Sequence, residues 1–302
     1  MSSSSANNGA AIVVDAHPPL KNFLDKLAQL TISPPPLEPP SLYIDIEGVR
    51  LGRQGSISII TIHVSPISKT YLIDVATLGR TAFTTQGSRE YTLRNILESP
   101  DVPKVFFDIR NDSDALFSLF DIAVAGVRDL QLLELAVKSQ IQSPKPLVSS
   151  LQHCIEADLL WTKEAKTDWL KIKEEGKKLF DPKKGGRYEV FAERPLQKAV
   201  VRYCAQDVAC LPELWSLYMK KLLNKDYGKF WRLLITKATR ERIKQSQGQR
   251  YDGQAAGKVS GPWDGLMLEP MCDDWVDDSW MFGVVDGCTY TELRFGDFLW
   301  VV

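Results

Sequence analysis

Apolar and polar positions along the chain fall into two rhythms, one of period two and one of period three to four. AIVVD (11–15) reads as a short strand. LKNFLDKLAQL (20–30) repeats apolar residues at Leu20, Phe23, Leu24, Leu27 and Leu30, the spacing of one helical face. SPPPLEPP (33–40) is incompatible with a helix or a central strand and reads as a stiff extended linker. Three strand-like runs follow, SLYIDIE (41–47), SISIITIHV (56–64) and TYLIDV (70–75), separated by GRQG and SPISK. That order predicts an antiparallel meander. Beyond it the pattern alternates: a helix near 91–98, a strand at 104–107, a helix over 112–123, a short strand near Val127 and a helix over 129–139. Strand–helix–strand alternation adds parallel strands to the meander, so the expected fold is α/β, a mixed sheet covered by helices.

Residues 160–193 are Lys-rich and aromatic, and a helical region runs from Pro195 to about Gln245. Pro195 suits a first helical turn, and Pro212 should kink the helix. From 251 onward Gly, Pro, Asp and Trp dominate, with CDDWVDDSW (272–280) before the closing FGDFLWVV. The chain therefore divides into a polar, disordered tail (1–10), a strand–helix–linker lead (11–40), a main domain (41–222), a basic helical extension (223–250) and an acidic, Trp-containing segment (251–302). The acidic segment reads by default as a cap on the domain.

Composition narrows the function classes. The 302 residues are 44% hydrophobic and 25% charged with a formal net charge of −1, so no overall basic field draws in a polyanion and any nucleic acid must be met by local patches. Five cysteines with no CxxC pair argue against a disulfide framework and a thiolate zinc site. The N-terminus has no signal-peptide pattern and no apolar run approaches about 18 residues. The expectation is an intracellular protein, nuclear or cytoplasmic, with no membrane contact. Three histidines in no motif exclude a His-based triad, and GQAAGK (253–258) has the wrong spacing for a phosphate-binding loop.

The informative anomaly is charge on apolar faces. Asp45 and Glu47 lie in the strand LYIDIE, where residues i and i+2 share a face about 7 Å apart. Two like charges beside a core are costly unless a cation sits between them. In RPLQKAVVRYCAQDVACLPELWSLY (194–218), Asp207 falls on the stripe that carries Leu196, Val200, Tyr203, Leu211 and Leu214, one turn after Tyr203. In VFFDIRNDSDALFSLF (105–120), Asp112 opens a helix just past the carboxyl end of a strand, where open α/β sheets hold their sites. Asp114, two residues on, is a second candidate acid, and Asn111 with Asp112 would also serve as a helix cap. Asp74, Asp108 and Asp129 occupy strand ends and helix starts and read as structural. Four carboxylates from three segments, with a tyrosine hydroxyl nearby, suit two hard cations.

The ordered set D-x-E, N-D-x-x-x-L and Y-x-x-x-D, with the flanks IDIEGVRLGRQGSISIITI, KVFFDIRNDSDAL, DLQLLELA and RPLQKAVVRYCAQDV, resembles the three motifs of the DEDDy 3′–5′ exonuclease superfamily over roughly residues 40–222. Ribonuclease D, the Werner-type exonuclease domain and polymerase proofreading domains belong to it, and the flanks are most similar to the eukaryotic 3′–5′ exonuclease domain-containing branch. The resemblance implies a ribonuclease H-like fold and two Mg²⁺ or Mn²⁺ ions about 4 Å apart. It implies that Asp45, Glu47 and Asp207 hold one ion, with Asp45 bridging to a second that Asp112 supports. Tyr203 would orient the attacking water. The implied reaction releases nucleoside 5′-monophosphates from the 3′ end of single-stranded or 3′-overhanging nucleic acid, RNA slightly ahead of DNA. The rival class is a catalytically idle nuclease fold serving as an RNA-binding adaptor, which should have lost ligand acids that this chain keeps. A protein partner is compatible with either.

The stretch 162–196 offers Lys171, Lys173, Lys177, Lys178, Lys183, Lys184 and Arg187 among Trp169, Phe180 and Tyr188, a pattern for single-stranded nucleic acid, with Lys177, Lys178, Lys183, Lys184 and Arg187 as the candidate contacts. Glu164, Glu174 and Glu175 dilute it, and a solvated helix face fits equally well.

Overall fold

The computed structural model describes residues 11–30, 38–141 and 145–282. The polar tail 1–10, most of the proline-rich linker and the terminal FGDFLWVV lie outside the described residues.

The described chain opens with β1 (Ile12–Val14) and α1 (His17–Gln29), whose Leu20, Phe23, Leu24 and Leu27 are buried as their spacing requires. The meander is β2 (Leu42–Glu47), β3 (Ile59–Val64) and β4 (Lys69–Asp74). Three short helices follow, α2 (Val75–Leu78), α3 (Thr81–Thr84) and α4 (Leu93–Glu98). Then come β5 (Lys104–Phe106), α5 (Arg110–Phe120), β6 (Val127–Asp129) and α6 (Leu130–Lys138). Among the described residues the sheet has six strands in the order β1-β4-β3-β2-β5-β6. β2, β3 and β4 pair antiparallel, with Asp45 opposite Thr61 and Glu47 opposite Ile59. β5 adds parallel to β2, β6 to β5 and β1 to β4. This is the mixed α/β sheet expected from the pattern, and the ribonuclease H-like fold that the resemblance implies.

The remaining helices are α7 (Leu151–Asp158), α8 (Lys163–Phe180), α9 (Lys198–Ala209), α10 (Leu211–Leu223), α11 (Gly228–Gln247) and α12 (Gly265–Phe282). Two expectations about prolines need correction. Pro195 precedes α9 instead of sitting in its first turn. Pro212 does not kink one long helix: α9 ends at Ala209 and Pro212 stands in the first turn of α10, where its missing N–H costs nothing.

Alternation along β2 sorts the two faces of the sheet. Leu42, Ile44 and Ile46 enter a core with Phe23, Leu24 and Leu116. Tyr43 enters the opposite core, with Leu133, Leu214 and Trp231. Asp45 and Glu47 share Tyr43's face. α9 lies across β2, β3 and β4 on that side, Val200, Tyr203 and Cys204 packing on Ile59 and Leu72. The acidic segment contributes Trp263, Leu268, Cys272 and Trp275 to the second core, Trp263 lying 5.6 Å from the Trp231 ring. It does cap the domain through these residues.

Candidate active site

Where the faces of β2 and α9 meet, the acids converge. Asp45, Glu47 and Asp207 each bring a carboxylate oxygen within 4.8 Å of the others. Burial drives Asp45 up to about 7, aided by the neighbouring Asp207 charge and opposed by Lys173. Glu47 is raised well above the carboxylate range by burial and then by Asp45. Burial raises Asp207 as well, against the pull of Lys173. Asp207 Oδ1 is buried with no hydrogen-bond partner. A buried, unpaired carboxylate oxygen in an acid beside others of like charge is costly and is what a hard divalent cation relieves. The all-oxygen donor set fits Mg²⁺ or Mn²⁺ in kind.

Asp112 stands in the first turn of α5, two residues inside a helix that begins at Arg110, so it is not the cap. It lies outside the three-acid cluster yet shares its field. Burial raises its carboxyl well above the usual range, helped by Asp45, Asp108 and Glu47, while the Lys258 ammonium pulls the other way. The alternative, Asp114, is committed elsewhere: the Arg53 backbone N–H and Nε donate to its two oxygens at 2.9 and 2.8 Å. Asp74, Asp108 and Asp129 are likewise satisfied. Asp74 pairs with Arg194 and caps α2 through Thr77 N–H, and Asp108 pairs with Arg110 at 2.6 Å. Asp129 caps α6 and takes Arg242 Nη1 at 2.7 Å.

Tyr203 is placed by a glycine. A Cβ on Gly176 of α8 would sit 2.3 Å from the Tyr203 ring, so only glycine lets α8 and α9 approach this closely. Phe180 and Phe191 flank the ring at 5.1 and 6.5 Å. Its hydroxyl helps hold Glu47 and Asp207 in their charged forms.

Sequence reasoning missed Lys173 as a site residue. It lies in the basic stretch but points inward: Nζ pairs with Asp207 Oδ2, donates to Tyr203 Oη at 3.1 Å and sits 4.4 Å from the Tyr203 ring centroid. The signal was spacing, since Trp169, Lys173, Gly176 and Phe180 fall on one helical stripe. Of the other candidates of that stretch, Lys177 is near enough to Asp207 to favour its charged form. Lys177 and Lys184 both pair with Glu174, and Arg187 pairs with Glu193. Lys178 and Lys183 are exposed.

With this geometry in place, comparison with known proteins is decisive. A family model described as a 3′–5′ exonuclease matches residues 12–223. The chain belongs to the 3′–5′ exonuclease family. The match spans every strand of the described sheet and all five candidate residues of the acidic site. No curated protein matches the exonuclease. Among solved structures it is similar in fold to the RNase D of Trypanosoma brucei in complex with RNA U12, at 20% identity and a TM-score of 0.62, covering 86% of this chain and 78% of that one. It is similar also to Escherichia coli RNase D, at 15% identity and a TM-score of 0.52, covering 80% and 51%. The Aedes aegypti Nibbler exonuclease domain is similar at 17% identity and a TM-score of 0.50, covering 78% of this chain and all of that one. No described helix of the exonuclease is long and apolar enough to cross a membrane.

Proposed function

We propose that residues 41–222 are the catalytic domain of a metal-dependent exonuclease that removes nucleotides one at a time from the 3′ end of single-stranded or 3′-overhanging nucleic acid, releasing nucleoside 5′-monophosphates. The observation that carries this reading is the cluster of Asp45, Glu47 and Asp207 with its unpartnered Asp207 oxygen. These three would hold one Mg²⁺ or Mn²⁺, and Asp45 with Asp112 would support a second. When bound, the ions supply Lewis-acid activation of water and neutralise charge on the scissile phosphate. Tyr203, fixed by Gly176 and the flanking rings, orients the water for in-line attack. Lys173, beside Asp207 and Tyr203, would offer its ammonium to the phosphate oxygens. RNA is favoured over DNA on the ground that the Trypanosoma brucei RNase D structure holds RNA. The exposed Lys178 and Lys183 serve as an electrostatic approach for the strand, with Lys177, Lys184 and Arg187 behind them.

The Lys173–Asp207 pair also favours a second reading, in which an ammonium permanently replaces the cation and the fold is a catalytically idle RNA-binding adaptor, with or without a protein partner. The two readings separate on Asp207→Asn. In an exonuclease it abolishes hydrolysis and leaves folding intact; in an adaptor it leaves RNA binding the only activity, with no hydrolysis to lose.

A further inference from the structure

The family match ends at residue 223, but the chain does not leave the site there. α11 packs against α5, and the segment 248–261 then crosses the start of α5 as a strap. Arg53 clamps its beginning, donating to the carbonyls of Ser246, Gly248 and Gln249 at 2.8 to 2.9 Å. Its far end is pinned by Gly261 N–H to Pro146 O at 2.8 Å and Val148 N–H to Val259 O at 3.0 Å. Between these anchors the strap reaches residue 111, next to Asp112. Tyr251 Oη donates to Asn111 Oδ1 at 2.7 Å, and Lys258 Nζ donates to the same oxygen at 2.7 Å. Gly253 passes so close that a Cβ there would lie 2.9 Å from that oxygen.

The strap thereby forms one wall of an open cleft of about 630 Å³. Its lining includes the cluster acid Glu47 and the loop 50–54. Phe180, Tyr188 and Phe191 stand on the catalytic-domain side, and residues 251–254 of the strap line the cleft with them. The volume falls within the ~300–1,000 Å³ of small-ligand pockets, enough for one nucleotide. A ring-lined cleft opening on a metal-ligating acid suits a base and its sugar with the phosphate directed at the acids. Tyr251 is the aromatic that the strap adds, and its hydroxyl is already bonded, so little ordering cost remains for a base that packs against the ring.

We propose that Tyr251, supplied from beyond the family domain, is a specificity-determining contact of the terminal-nucleotide subsite. This rests on the exonuclease reading for its substrate and on the cleft for its geometry.

The test uses the full chain with Mn²⁺ and two probes, adenosine 5′-monophosphate and ribose 5-phosphate, which lacks the base. Tyr251→Ala should weaken adenosine 5′-monophosphate binding about tenfold and leave ribose 5-phosphate binding unchanged. Tyr251→Phe, which keeps the ring and loses only the bond to Asn111, should bind both within about twofold of the parent. Equal losses for both probes would mark Tyr251 as merely structural and overturn the proposal. So would unchanged binding in Tyr251→Ala, or a parent that binds no adenosine 5′-monophosphate. Hydrolysis of single-stranded RNA and DNA by the parent is followed alongside. Absent hydrolysis with base-dependent, Tyr251-dependent binding sinks the exonuclease reading and leaves the subsite standing.

Discussion

Two acidic regions of this chain invite comparison, because both gather aspartates near strand ends and only one is at rest. Around Asp129 the carboxylates have partners: that of Asp129 caps α6, accepts from Ile109 N–H at 3.3 Å and pairs with the buried Arg242, which also stands 3.6 Å from Asp108. Asp108 is accordingly held below its ordinary value, the arginine bonds outweighing burial. Around Asp207 three carboxylates share one lysine, one oxygen has no partner, and each acid is pushed upward. Burial is common to both regions, so burial does not mark function. The difference lies in whether the fold itself supplies the countercharge. Where it does, the acid holds the structure together; where it does not, something from solution must.

The sharpest way to break the comparison is to neutralise one acid of the unrest region. Asp207→Asn should lower hydrolysis on the order of a thousandfold or more. It should also leave the folded protein intact in EDTA, with a melting temperature at or above the parent's because a repulsive charge is gone. A marked drop in melting temperature would place Asp207 with the structural acids. The reverse experiment is Arg242→Met, which strands Asp129 without countercharge and should cost about 3–5 kcal/mol in urea unfolding. A cost well under 1 kcal/mol would mean that Asp129 does not depend on the arginine.

Gly176→Ala acts on geometry and not on charge. The new methyl meets the Tyr203 ring at 2.3 Å, so α8 and α9 must part or the ring must turn. Overpacking of this kind costs about 1–3 kcal/mol. Displacing a positioning group by about 1 Å can cost a hundredfold in rate, so activity should fall roughly 10–100-fold while metal binding to the acids persists. Full activity in this variant would remove Tyr203 from the site.

The smallest effect concerns the satisfied acids and pH. Burial pushes Asp74 up, but the bonds from Arg194 and Thr77 prevail and hold its carboxyl below the ordinary 3.8. A carboxyl with a depressed folded value adds stability above its unfolded pKa and loses it as pH falls through the folded value. The stability gap between the parent and Arg194→Met should therefore be full near about pH 6 and narrow as pH falls below the ordinary unfolded value of about 3.9. A gap that stays constant into acid would mean that Arg194 contributes packing alone.

Much of this arrangement was readable in the chain because it follows from short-range rules. The meander is written in period-two runs, and the D-x-E pair announces itself by alternation within one strand. The spacing from Tyr203 to Asp207 places both on one turn-to-turn ridge of α9. What escaped depends on long-range approach. Lys173 read as one more surface lysine because nothing in its neighbours says that α8 docks on α9; Gly176, the residue that permits the docking, carries no side chain to signal it. Arg53 and Asp114, 61 positions apart, pair through folding alone. That Asp114 pairs within the fold was legible only once Arg53 was in place. The strap likewise hid in a stretch of Gly, Asp and Gln, where composition reports a loop and not what the loop covers.

The central claim is that the unrest region binds metal in order to cut a strand from its 3′ end. It is tested most directly by a time course on single-stranded RNA and DNA, each labelled at the 3′ or the 5′ end. Parallel reactions contain Mg²⁺, Mn²⁺ or EDTA, with Asp45→Ala as control. The account predicts a ladder shortening stepwise from the 3′ end, nucleoside 5′-monophosphate as product, no reaction in EDTA and none in the variant. Binding of the strand without cleavage in either metal would contradict it and make the adaptor the better description.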